Sequence, residues 1–151
     1  MRIIHHTPYP QLPYETRNWT ATGRWTVSLA CILHGRHGRR KGQFLYTIFY
    51  EIAKNCSIPV YTGMTEKSIQ GRLKGHVHGP SYVGYLINAI PVDLFSVEVI
   101  EIKGNLRMAE RQRISKINPL LNRAERSRST ATVMRRVNKM INDYEKLQKR
   151  S

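Results

Sequence analysis

The stretch from Phe44 to His76, FLYTIFYEIAKNCSIPVYTGMTEKSIQGRLKGH, leaves the chain the fewest ways to fold. Phe44, Tyr46, Ile48 and Tyr50 share one face of a strand, and Leu45, Thr47 and Phe49 share the other. Asn55 to Ser57 form a turn, and a second short strand, Ile58 to Tyr61, runs into Thr62-Gly63, with Pro59 at an edge or a strand start. Thr65 is a good helix N-cap, with Glu66 in the first turn where the helix dipole favours an acid. Ile69 and Leu73 then make an apolar stripe, and Arg72 and His76 make an adjacent pair at the same spacing. Gly71 and Gly75 each cost that helix roughly 0.5–1 kcal/mol relative to alanine. Either a phosphate backbone approaches closely there, or the helix ends near Gly75.

The flanks differ from this core in charge. The 151 residues carry a formal net charge of +15, which points to a polyanionic partner. Residues 1–43 hold seven Lys/Arg against one acid, residues 44–122 nine against six, and residues 123–151 nine against three. The excess lies on either side of a nearly balanced centre, as expected for nucleic-acid grip added around a core. Length sets one compact domain, divided into a basic N-terminal arm and hairpin (1–43), a core (44–122) and a basic C-terminal helix (123–151). Only Cys31 and Cys56 are present, so neither a disulfide framework nor a four-cysteine zinc site is available. No apolar run reaches membrane-spanning length and the start lacks a signal-peptide core, so the expectation is a cytoplasmic protein.

Pro8, Pro10 and Pro13 exclude helix from residues 1–18 and favour an extended arm. Trp25 to Leu33 is apolar and β-branched enough for a strand, and HGRHGRRKGQ follows before the strand at Phe44, which predicts a hairpin. Cys31, His34 and His37 are metal-like in type, but no fourth ligand accompanies them. A phosphate clamp built from Arg36, Arg39, Arg40 and Lys41 is the better use of that loop. Ser81 can cap a helix through Ala89, Phe95 to Ile102 alternates as a third strand, and Asn105 can cap a helix from Leu106 to Ile117. RAERSRS (123–129) reads as a charged linker. Thr130 can cap a last helix whose Val133, Val137, Met140, Ile141, Tyr144 and Leu147 repeat at helical spacing.

This ordered series resembles the GIY-YIG nuclease superfamily, metal-dependent enzymes that cut DNA phosphodiesters. Phe44-Leu45-Tyr46 stands for Gly-Ile-Tyr and Tyr61-Thr62-Gly63 for Tyr-Ile-Gly; Arg72 and His76 match the family's arginine and histidine. Glu110, opening AERQRISKINPLLN, matches its catalytic glutamate, and Asn122 after Pro119 its asparagine. Phe44 replaces the first glycine, and Met64 stands where many relatives carry a polar residue or lysine. The resemblance implies an α/β fold with a small, mainly antiparallel, three-stranded sheet flanked by helices. The added parts would be the arm, the hairpin strand and the C-terminal basic helix.

Glu110 is also informative without the resemblance. Leu106, Ile114 and Ile117 define an apolar stripe that includes Glu110, and an inward carboxylate needs a pairing cation. With the resemblance, that cation is a single divalent metal, Mg²⁺ with Mn²⁺ as a substitute. Arg72 suits the charge on the transferring phosphate, because guanidinium binds two phosphate oxygens and stays charged. Tyr46, Tyr61 or His76 could be the base; Tyr46 assisted by His76 is preferred, with Tyr61 orienting water or phosphate. Asn122 is expected to hold the architecture by hydrogen bonds. Arg36, Arg39, Arg40 and Lys41, Lys74 on the Arg72 helix, and Arg135, Arg136 and Lys139 on the last helix are the candidate DNA contacts. The implied activity is a restriction-type or phage-encoded endonuclease on double-stranded DNA, with a homodimer on DNA joined through the last helix favoured over a monomer that nicks. The rival readings are a homing- or repair-type nicking endonuclease, or a catalytically silent DNA-binding protein that kept the fold.

Overall fold

The protein is described here by a computed structural model covering residues 3–6, 18–122 and 129–150. The proline-rich segment 7–17 and the linker residues 123–128 lie outside the described residues. Five antiparallel strands form one sheet: β1 (Ile3–His6), β2 (Trp19–Ser28), β3 (Phe44–Ala53), β4 (Cys56–Thr65) and β5 (Phe95–Gly104), in spatial order β1-β2-β5-β3-β4. The α/β class and the antiparallel sheet accord with the sequence; β1 and β2 make the sheet wider than three strands.

The expected N-terminal hairpin does not form. β2 pairs with β5, and β5 separates it from β3. The strand read over Trp25 to Leu33 ends at Ser28, where the chain turns into α1 (Leu29–His34). The Ser28 side chain accepts a hydrogen bond from the Cys31 amide at 3.2 Å, a helix N-cap inside an otherwise apolar run. Residues 3–6, read as part of an extended arm, pair with β2. β3 and β4 are a true hairpin around Lys54-Asn55, and Asn55 takes the left-handed conformation such a tight turn requires (φ 62°).

One face of the sheet, carrying Phe44, Tyr46, Ile48 and Tyr50, packs against α1, α2 (Ile69–His78), α3 (Tyr82–Ala89) and α5 (Thr130–Arg150). The other face, carrying Leu45, Ile100 and Ile102, is covered by α4 (Leu106–Ile117). Charge and polar bonds fix the rotation of α4. Buried Glu98 on β5 accepts from Arg24 on β2 at 2.6 Å and from Arg113 on α4, and the Trp19 indole N–H donates to Gln112 at 2.6 Å. Arg113, not Glu110, is therefore the buried charge of this helix. Leu106, Ala109, Arg113 and Ile114 face inward, and Glu110 lies half-buried at the margin of that stripe.

Two cap assignments move. α2 is capped by Ser68, which accepts from the Gly71 amide at 3.1 Å, while the Thr65 hydroxyl accepts from Lys67 N–H in a turn at the end of β4. α2 runs past Gly75 to His78. α5 is capped by Ser129, whose hydroxyl accepts from the Thr132 amide, rather than by Thr130. Val133, Val137 and Met140 of α5 are buried against the chain's own core, with α3 as the main neighbour. Most of the stripe that suggested self-association is thus covered within one chain, while Leu147 at its end stays exposed.

Candidate active site

Four elements converge on the free edge of β4. The hairpin brings Tyr46 on β3 opposite Gly63 on β4, with Tyr61 on the same face of the sheet. α2 crosses this face with Leu73 buried beneath it, which turns Arg72 and His76 toward the tyrosines. The segment after α4 returns along the β4 edge: Leu120 N–H donates to Pro59 O, and Leu121 N–H to Val60 O. Asn122 completes this run, its amide accepting from Thr62 N–H and donating to Thr62 O, both at 2.8 Å. A carboxamide closes one residue's backbone pair as a neighbouring strand would, so Asn122 holds Thr62 and the tyrosine beside it.

These contacts enclose a cleft of about 410 Å³ whose walls include Tyr61, Thr62, His76, Ser81, Glu110 and Asn122. Tyr46 lies one layer deeper, fully buried, with its hydroxyl 2.9 Å from His76 Nε2. The Tyr61 and His76 rings meet edge to face with centroids 5.0 Å apart. The glycine of the Tyr61-Thr62-Gly63 run is required by this packing, because a Cβ at Gly63 would stand 2.4 Å from the Tyr46 hydroxyl oxygen. Burial pushes the Tyr46 phenol well above its ordinary range; Tyr61 adds to the shift and Arg72 opposes it. Arg72 faces both hydroxyls and is held more firmly protonated, chiefly by Tyr46. Tyr46, preferred from sequence as the group that takes the water's proton, does not reach the cleft wall, and Tyr61 does.

His76 is buried, and desolvation followed by repulsion from Arg72 lowers its pKa to about 4. The unfolded chain, with an ordinary imidazole near 6.5, binds this proton more readily than the folded one. The neutral ring's full contribution is therefore present above pH about 6.5 and is lost as pH falls toward about 4, a loss of roughly 2–3 kcal/mol. Urea unfolding across this range should show that slope, and His76→Gln should flatten it. An equal slope in both proteins would place the acid sensitivity elsewhere.

Of the candidate metal ligands only Glu110 lines the cleft, and among the described residues no group of three His, Cys, Asp or Glu could hold an ion. One carboxylate beside a solvent-open cleft suits Mg²⁺, which is commonly held by one or two carboxylates with water and substrate phosphate oxygens. It does not suit a caged ion.

The basic loop is anchored to the start of α2. Gly38 O accepts from the Gln70 amide at 2.8 Å, Gly42 N–H donates to Lys67 O at 3.1 Å, and the Gln70 side chain donates to the carbonyls of Ile32 and Gly35. Gly38 turns the loop with a positive φ of 79°. A second cleft, lined by Met64, Lys67, Ser68 and Arg72 among others, lies next to this anchorage. Arg36, Arg39 and Lys41 are exposed, and so are Lys74 on α2 and Arg135 on α5. Three other cations are already engaged. Arg40 is doubly bonded to Glu101 and lies over the Phe44 ring, Arg136 donates to Leu120 O, and Lys139 pairs with Asp143.

Ser81 was legible only as a helix cap, although it lines the cleft and bonds the His76 ring. Its place after Pro80, five positions beyond His76, is the one signal that could have shown this. Comparison of the chain with protein-family models, with curated proteins and with solved structures finds no match.

Proposed function

We propose that the protein is a metal-dependent endonuclease of the GIY-YIG type that hydrolyses phosphodiester bonds in double-stranded DNA, in a restriction-type or phage-encoded setting. The observation that carries this reading is the meeting of Tyr61, His76, Glu110 and Asn122 on one cleft, with Tyr46 buried behind its tyrosine wall and Arg72, exposed on α2 and lining the neighbouring cleft, facing the same tyrosine hydroxyls. Residues up to 76 positions apart in the chain come together there, and a strong net positive charge surrounds them.

In this reading the scissile phosphate lies between Arg72 and Glu110. Arg72 neutralises charge that builds on the phosphoryl oxygens, and the two hydroxyls beside it fix its direction. Tyr61, the hydroxyl on the cleft wall, receives the attacking water's hydrogen bond. Its phenol proton passes to solvent through the open cleft, and the phenolate so formed is paired with the same guanidinium and can take the water's proton. As the water oxygen bonds to phosphorus, its proton leaves on the tyrosine side, and the bond to the departing sugar oxygen breaks on the Glu110 side. A divalent cation held by Glu110 would supply charge neutralisation at that departing oxygen. Asn122 and Gly63 keep the tyrosines in register.

Supercoiled plasmid incubated with and without Mg²⁺ tests the reading. Because most of the apolar stripe of α5 is covered within one chain, nicked circles should accumulate before linear product. Binding without any nick, in Mg²⁺ or Mn²⁺ and on several natural DNAs, would leave the silent DNA-binding protein.

The loop cations give a separate expectation. Neutralising Lys41 or Arg39 should each make the slope of log K against log salt shallower by about 0.9 on duplex DNA. Arg40→Ala should change it less, because Glu101 already pairs with that charge. Filter-binding titrations over a range of salt would decide this, and equal slopes in all variants would turn the loop away from DNA.

A further inference from the structure

The hydrogen bonds around His76 admit one consistent direction. His76 O, near the end of α2, lacks its usual helical donor, since the residue four positions on is Pro80 and has no N–H. The Ser81 hydroxyl lies 3.3 Å from that carbonyl and donates to it. Having one hydrogen to give, Ser81 Oγ is then an acceptor for its other neighbours. These are the Gly84 amide at 3.0 Å and His76 Nδ1 at 3.2 Å. Nδ1 must therefore carry the imidazole hydrogen, which leaves Nε2 bare toward the Tyr46 hydroxyl 2.9 Å away.

The opposite end of the chain accommodates the same arrangement. Arg72, which faces the Tyr46 oxygen, can donate but cannot accept. The Tyr46 hydroxyl hydrogen therefore goes to His76. Gly84 makes the junction possible: a Cβ at that position would lie 2.1 Å from His76 O, so only glycine lets α3 bring Ser81 against the end of α2.

We propose that Ser81 is a positioning residue that fixes the His76 tautomer, so that one chain of hydrogen bonds runs from Arg72 through Tyr46 and His76 to Ser81 and the α2 carbonyl. Its catalytic consequence rests on the nuclease reading above; the tautomer itself does not. The chain sets the Tyr46 oxygen with its lone pairs toward Arg72 and so holds the guanidinium at the tyrosine wall. His76, with both nitrogens engaged inside the protein, acts through Tyr46.

Heteronuclear NMR that correlates the His76 ring nitrogens with their protons, near neutral pH, reads the tautomer directly. Wild-type protein should carry the hydrogen on Nδ1. Ser81→Gly removes the hydroxyl while keeping a residue that caps helices within a few tenths of a kcal/mol of serine. It should move the hydrogen to Nε2 and lower kcat about 10- to 100-fold, the usual scale for a lost orienting partner, with KM nearly unchanged. Ser81→Thr, which keeps hydroxyl and cap, should restore both. A bare Nδ1 in the wild type would overturn the tautomer assignment, and Nδ1–H persisting in Ser81→Gly would overturn the role of Ser81 in fixing it. A switched tautomer with undiminished kcat would overturn the positioning role. The expected tautomer switch in a chain that cuts no DNA would count against the nuclease reading alone.

Discussion

Replacing Glu110 by glutamine is expected to abolish plasmid cleavage in Mg²⁺, by about three orders of magnitude or more, while DNA affinity changes little. The substitution keeps the side chain's size at the cleft wall and removes the only carboxylate among the described residues that line it. The packing of α4 is carried by Leu106, Ala109, Arg113 and Ile114, which the substitution leaves in place. Parallel measurements of nicking, duplex binding and urea midpoint separate the outcomes. Near-wild-type nicking in Mg²⁺ would remove Glu110 from the site.

Gly63→Ala carries the second large effect, through geometry instead of charge. The added methyl would meet the Tyr46 hydroxyl oxygen at 2.4 Å, its ring carbon Cζ at 2.6 Å and a Tyr61 ring carbon at 3.0 Å. Tyr46 is fully buried and bonded to His76, and β4 is held on one side by β3 and on the other by Asn122. Neither partner can yield cheaply, so the expected cost is about 1–3 kcal/mol of stability. Activity in the molecules that remain folded should fall about 100-fold or more, because a shift near 1 Å at a catalytic group is enough for that. Gly75→Ala is the control. A Cβ there meets nothing within 4 Å, and alanine should stabilise α2 by roughly 0.8–1 kcal/mol. Equal urea midpoints for the two variants would refute the packing account.

The β3–β4 pair, α3 and α4 were legible because their signals were local, although the turn falls at Lys54-Asn55 rather than over Asn55 to Ser57 and β4 runs from Cys56 to Thr65 rather than from Ile58 to Tyr61. Alternating aromatics mark β3, Ser81 and Asn105 cap the two helices, and Asn118 closes α4 in a left-handed cap. The order of the strands was not legible. β5 lies between β2 and β3 although it follows both in sequence, and nothing in a strand's own residues names its neighbour. The run Trp25–Leu33 misled for a related reason. Short apolar segments fit a strand or a buried helix equally well, and the only arbiter, Ser28, lies inside the run. Glu110 was placed on the right helix but too deep, since Ala109 and Arg113 form the buried line beside it. A buried arginine on a helix is not expected from sequence until its carboxylate, Glu98 on a distant strand, is known. The depths of Tyr46 and Tyr61 could not be separated either, because which of two strand tyrosines meets solvent depends on what α2 covers.

The run from Leu120 to Asn122 along β4 has a bearing on how this protein behaves at high concentration. An outer strand left with free amides and carbonyls is a template on which another molecule can add a strand. Here the exposed row between Pro59 and Thr62 is already taken up by three residues of the same chain, the last of them through a side-chain amide. Loosening Asn122 would thus disturb the cleft and at the same time reopen a sticky border. The shape of the cleft and the cover over the β4 border share one carboxamide.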